Sequence, residues 1–126
     1  MRATSLDDLQ VYQNAKAAEA LLAPLLERPS FHRNLTLRNQ INDAMVKIAP
    51  NIAEGFGQKT DRHCAHFQYI ARGSCNEIQA HLDSARTQRH ISAAEHASLR
   101  QHYTIVGKQL TRWIQHLNRE DRKQRG

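Results

Sequence analysis

The chain has 126 residues, enough for one ordinary domain, and 40% of them are hydrophobic, enough for one core. Its mean hydropathy is −0.71, its longest apolar run (Ala20 to Leu26) is too short to cross a bilayer, and its N-terminus shows no apolar leader, so the expectation is a cytoplasmic protein without a membrane segment. The net charge of +6 is uneven: residues 1–85 carry nine Lys/Arg against nine Asp/Glu, and residues 86–126 carry nine against three, so the whole excess lies in the last third.

Ser5, followed by Asp7 and Asp8, predicts a helix start. Pro29 predicts its end, and Pro24 a kink against the Ala20 carbonyl. In Ala15–Leu26 nine of twelve residues are Ala or Leu. They surround the helix rather than forming a stripe, and a helix apolar on all sides is buried on all sides. That predicts a partner subunit, with Leu22 and Leu26 at the oligomer interface. A second helix follows from Leu37, Ile41, Ala44/Met45, Ile48 and Ile52, spaced by threes and fours. Pro50 should bend it, and Gly55 or Gly57 should end it in the left-handed conformation. A third helix opens with Thr60 as N-cap and Asp61 in its first turn. Its expected seam is Phe67, Ile70/Ala71, Ser74, Ile78, Leu82 and Ala85. Gly73 inside it costs about 1 kcal/mol relative to alanine, which predicts a close helix or subunit contact there. The fourth helix opens with the capping box Ser92–Glu95. Its seam is Leu99, Tyr103, Val106, Leu110, Trp113 and Leu117. No segment alternates with period two. The expected architecture is all-α: an antiparallel up-down four-helix bundle over residues 1–118, followed by a mobile basic tail over 119–126.

Cys64 and Cys75 fall on one predicted helix, about 16 Å apart at 1.5 Å per residue. A disulfide needs Cα atoms within about 7 Å, so both are expected as buried, reduced thiols. The stretch APNIAEGFGQKT (Ala49 to Thr60) lacks both the spacing and the preceding strand of a phosphate loop. Pro50, the glycines and Thr60 instead read as the end of one helix and the start of the next. His63 and His66 lie one turn apart without a second ligand pair, so neither metal nor cofactor is expected. Glu54, with Arg72 or Lys47, has no nucleophile beside it. It reads as part of a structural polar network with Asn51, Arg72 and Ser74, and no enzymatic activity is expected.

The basic third carries the functional expectation. Lys108, Arg112, Arg119 and Arg122 fall opposite the fourth helix's seam, and Arg86 and Arg89 end the third helix, where cations suit the dipole. Together they read as a nucleic-acid-binding face for RNA or DNA, repeated once per subunit in an oligomer. The alternative is a scaffold, for a polymerase as an example, with this face as the docking surface for a protein.

Three stretches carry a family likeness: NIAEGFG (Asn51 to Gly57), FQYIARGSCNEIQAHL (Phe67 to Leu82) and the opening SLDDLQVYQNA (Ser5 to Ala15). Taken in order over nearly the whole chain, they resemble the four-helix-bundle family of 23S rRNA intervening-sequence proteins. The opening matches that family's F-x-D-L-x-V-W-x-x-A start, with Leu6 and Tyr12 as variants at the aromatic positions. The resemblance implies a small cytosolic bacterial bundle that assembles into a homopentameric ring. It also implies kinship with the accessory proteins of diversity-generating retroelements, which contact reverse transcriptase and nucleic acid. Two departures stand out. QINDA (Gln40 to Ala44) replaces the family's Q-I-R-R-A, so Asn42 and Asp43 stand where arginines are usual. Pro50 lies one residue later than the proline of the family's I-P-S-N.

Overall fold

The computed structural model describes residues 5–125. There the chain opens not with the long helix expected from Ser5 but with a single 3-10 turn, Leu6–Asp8. The Ser5 hydroxyl donates to the Asp8 carboxylate at 3.0 Å instead of capping a backbone N–H. Leu9 is extended, and helix α1 runs over Gln10–Leu22. Pro24 has no N–H to offer the Ala20 carbonyl. The chain tightens into a 3-10 segment, Ala23–Glu27, and Arg28 is extended before Pro29, as the residue preceding a proline prefers. A single-turn helix α2 (Pro29–His32) then seats Phe31, which is fully buried.

The expected second helix is two helices, α3 (Leu35–Met45) and α4 (Ile48–Phe56). Pro50 cannot donate to the carbonyl of Val46, and its ring crowds that position. The chain therefore breaks at Val46–Lys47 rather than bending. Asn34 caps α3 by accepting from the Leu37 N–H at 3.3 Å. Neither Gly55 nor Gly57 takes the left-handed conformation, since no glycine described has positive φ. Gly55 serves close packing instead: a Cβ there would stand 2.2 Å from Gln68 Nε2 and 2.9 Å from the Cys64 carbonyl.

Two long helices complete the chain, α5 (Asp61–Thr87) and α6 (Ala93–Arg125). Thr60 caps α5 as expected, accepting from the His63 N–H at 3.1 Å. The pair runs antiparallel, stitched by Asp83–Arg100, Gln79–Thr104, Arg72–Thr111, Tyr69–Asn118 and Asp61–Gln124. On the other flank Asn14 of α1 donates to Gln109 of α6 at 3.0 Å, and α4 packs between α1 and α5. No strand occurs among the described residues. Residues 119–125, expected as a separate tail, are the last two turns of α6.

The core corrects two expectations. Leu22 and Leu26 are 0% and 2% exposed, so they belong to the subunit's own interior and not to its surface. What the Ala/Leu-rich segment leaves outside is Ala17, Ala20, Leu21 and Pro24. On α5 the buried seam includes Cys64, Gln68, Ala71, Ser74, Cys75, Ile78, Leu82 and Ala85, while Ile70 is exposed and Phe67 only half-buried. The α6 seam is as expected, except that Ile114 is buried and Trp113 half-buried, leaning on both the main core and a small cluster of Cys64, Ala65 and Leu117. Both cysteines are free and buried, as expected.

Candidate nucleic-acid interface

The turn between α5 and α6 fixes how the basic third is presented. Arg89 holds the left-handed conformation, φ 64°, that a glycine usually takes after a helix. His90 N–H then reaches back to the Ala85 carbonyl at 2.9 Å, and the His90 ring stacks on Phe31 at 4.6 Å. The expected capping box forms. Glu95 accepts from the Ser92 N–H at 2.8 Å, and Ser92 Oγ accepts from the Glu95 N–H at 3.1 Å. Arg28 clamps the same carboxylate with both guanidinium nitrogens and donates to the His90 carbonyl at 3.1 Å. Those bonds, the Arg28 one foremost, hold the Glu95 carboxyl down at about 2.

From this anchor α6 carries Lys108, Arg112, Arg119 and Arg122 exposed along one face, over about 21 Å at 1.5 Å per residue. Among the described residues none of the four makes an ion pair. Arg28, Arg38, Arg100, Lys123 and Arg125 each hold a carboxylate. Hydrogen bonds from His96 and Arg100 keep Asp83 below the usual carboxylate range, and Arg38 does the same for Glu27. These carboxylates are thus held by other cations, and none of them pairs with the α6 stripe.

Beside the stripe an open groove of about 580 Å³ separates α5 from α6. Arg72, Asn76 and Gln79 form one wall; Thr104, Lys108, Thr111 and Arg112 form the other. Arg72 lies over the Tyr69 ring at 5.1 Å and donates to Thr111 Oγ1 at 3.4 Å, while Thr104 Oγ1 donates to Gln79 Oε1 at 3.3 Å. The groove therefore gathers three cations and several neutral hydrogen-bonding groups with no carboxylate in its lining. Guanidinium forks and an ammonium on a polar floor suit phosphate oxygens.

Arg72 is the residue misassigned by sequence. It leaves the expected polar network and joins Lys108 and Arg112. The signal lay in two matching ladders, Arg72–Asn76–Gln79 and Thr104–Lys108–Thr111, each at spacings i, i+4, i+7. The expected network does not assemble. Asn51 donates to its own helix at the Lys47 carbonyl, 2.6 Å away. Glu54 is exposed and accepts only from Gln58, and Ser74 is buried on a different face. Arg86 and Arg89 are exposed but stand apart. The antiparallel register places Lys108 level with the middle of α5, so Arg86 lies about 15 Å further along. The six cations thus form a four-residue stripe and a separate pair at one end of the bundle. Gly73 is exposed, with no atom within 4 Å of where its Cβ would be, so it makes no close contact inside the subunit.

Among the described residues no helix is long and apolar enough to cross a membrane. The family model described as 23S rRNA-intervening sequence protein matches residues 7–112, from the first turn to Arg112 in α6. Arg119 and Arg122 lie beyond that match. No curated protein matches the chain.

Proposed function

The chain belongs to the 23S rRNA-intervening sequence protein family, and from that premise we propose that it is a non-catalytic cytoplasmic protein that binds nucleic acid, RNA foremost, as a homo-oligomer. The reading rests on one observation: a stripe of Lys108, Arg112, Arg119 and Arg122 without carboxylate partners, bordering a groove that adds Arg72. Such cations displace counterions from a phosphate backbone, so affinity falls steeply with salt. A homo-oligomer, a pentameric ring in this proposal, repeats the stripe once per subunit. The exposed apolar patch of Ala17, Leu21 and Pro24, with Ile105 at 44% exposure, and the open surface at Gly73 support subunit contacts.

The test is a pair of binding titrations at several salt concentrations. Changing Arg112 and Arg119 together to Gln should weaken binding to structured RNA and to DNA alike. It should also flatten the slope of log K against log salt by roughly two units per engaged subunit, with helix content unchanged. A double variant that binds as the parent, with the same slope, removes the stripe from the site. The second reading, a scaffold for a protein such as a polymerase, is favoured by the exposed Tyr69 and Ile70 on α5. Recovery of one protein partner without any RNA binding would select it.

A further inference from the structure

At the end of the bundle where α4 ends and α5 begins lies a second concavity, of about 300 Å³, separate from the α5–α6 groove. That volume is the lower end of small-ligand sites. Phe56 and Trp113 line it with aromatic side chains, Leu117 adds an apolar wall, and Gln58, Thr60, Asp61 and His116 supply polar groups. The hydrogen bonds already made decide what those polar groups have left to offer. The Gln58 amide nitrogen donates to the Glu54 carbonyl and carboxylate at 3.1 and 3.3 Å, which leaves its Oε1 as an acceptor. Asp61 takes one bond on Oδ2 from Gln124 at 3.3 Å, which leaves Oδ1 as another acceptor. The cavity thus combines aromatic side chains with two unfilled acceptors, one of them charged, beside the Thr60 hydroxyl and the His116 ring.

Its place relative to the stripe matters equally. His116 is one helical turn from both Arg112 and Arg119, and residues three and four apart on a helix are surface neighbours. A strand whose phosphates follow the stripe therefore passes the mouth of the cavity. Asp61 would repel a phosphate placed inside, so what enters must be the uncharged part of a nucleotide.

We infer that this cavity binds one unpaired nucleobase, and that the base is guanine. Planar aromatic walls stack any base with little selectivity. The two acceptors are selective. Guanine presents two adjacent N–H donors, N1–H and the N2 amino group, one for each of these acceptors. Adenine and cytosine set an acceptor nitrogen beside their amino group, and uracil flanks its single N–H with carbonyls, so each leaves an acceptor facing an acceptor. The inference builds on the strand-binding reading and adds to it a base preference and a requirement for a single-stranded, looped or bulged position.

Trp113 is the chain's single tryptophan, so its fluorescence reports the cavity directly. The probes are uridine oligomers of equal length carrying one guanine, one adenine or neither, a fully paired duplex, and guanosine monophosphate alone. The guanine oligomer should quench Trp113 and bind roughly tenfold tighter than the all-uridine strand, while the duplex binds without quenching. Asp61→Asn should abolish the guanine preference and preserve salt-dependent strand binding. Stronger quenching by the strand than by the mononucleotide assigns the cavity to nucleic acid; equal quenching assigns it to a free guanine nucleotide. Equal quenching by the guanine, adenine and all-uridine strands, or none by any guanine ligand, overturns the inference. If no strand binds at all but the mononucleotide quenches, the strand-binding reading fails and the guanine site stands. Salt-dependent strand binding without base preference has the reverse meaning.

Discussion

A methyl group added at Gly55 would meet Gln68 Nε2 at 2.2 Å, and the Cys64 carbonyl and Phe67 Cβ both at 2.9 Å. The Gln68 amide can swing away, but it is fully buried and already bonded to the Ile52 carbonyl at 3.3 Å. The Cys64 carbonyl is part of the α5 backbone and can move only if α4 and α5 separate. Gly55→Ala should therefore cost about 1–3 kcal/mol, read by chemical denaturation; an unchanged midpoint would mean the two helices part without strain. Its neighbour Glu54 is exposed and bonds only within its own turn. Glu54→Gln should shift stability by less than about 0.5 kcal/mol, the ordinary range for a surface change. A marked fall in melting temperature would restore the carboxylate to a structural role.

At the scale of elements, the start of α6 is the most heavily bonded joint in the chain. Glu95 closes the capping box and takes the Arg28 fork, and its carboxyl is held at about 2 against an ordinary 4.5. Because the folded-state value is depressed, this contribution is complete above about pH 4.5 and disappears as pH falls toward 2. Glu95→Gln keeps the capping-box acceptor but loses the charged partner of Arg28, and should lower stability at neutral pH by about 1 kcal/mol or less, the range of a solvent-accessible ion pair. It should also flatten the acid limb between pH 4.5 and 2 in melts run as a pH series. This joint was legible in sequence because Ser92 and Glu95 are three residues apart and need nothing else to recognise each other. The same holds for Thr60. Ser5 misled because a nearer carboxylate, Asp8, took its hydroxyl. Pro50 was seen, but whether a proline bends or breaks a helix depends on what packs around the gap. The face of α1 could not be read at all: with alanine and leucine on every side, only the arrival of α4 and α6 decides which leucines go inside. The guanine cavity escaped for a similar reason, since Phe56, Asp61 and Trp113 come from three helices.

For the whole molecule, Leu21 and Leu22 separate assembly from folding. Leu22 is 0% exposed and Leu21 46%. Leu22→Asp buries a charge with no partner and should unfold the subunit, a loss above about 4 kcal/mol. Leu21→Asp should leave helix content and melting cooperativity intact and lower the mass measured by light scattering. A parent protein already at the mass of one chain, 14.4 kDa, removes the oligomer from the proposal. An assembly that survives Leu21→Asp moves the contact to another surface, with Ile70 and Gly73 the next to test. Avidity depends on the same result, because a monomer offers one stripe to the strand and a ring offers one per subunit.

The two thiols give the protein a built-in chronometer. Burial pushes Cys75 up to about 12 and Cys64 above its ordinary value, so neither supplies appreciable thiolate at neutral pH; Cys75 is fully buried and is alkylated only when the bundle opens, whereas Cys64 also lines the cavity beside Trp113. Cys75 sits in the main core, and Cys64 in the small cluster at the α5 start. Alkylation rates at the two sulfurs therefore time two different doors. Equal rates mean the bundle opens only as one unit; faster reaction at Cys64 means reagent reaches the end beside Trp113, through the cavity or by local opening, while the rest stays shut.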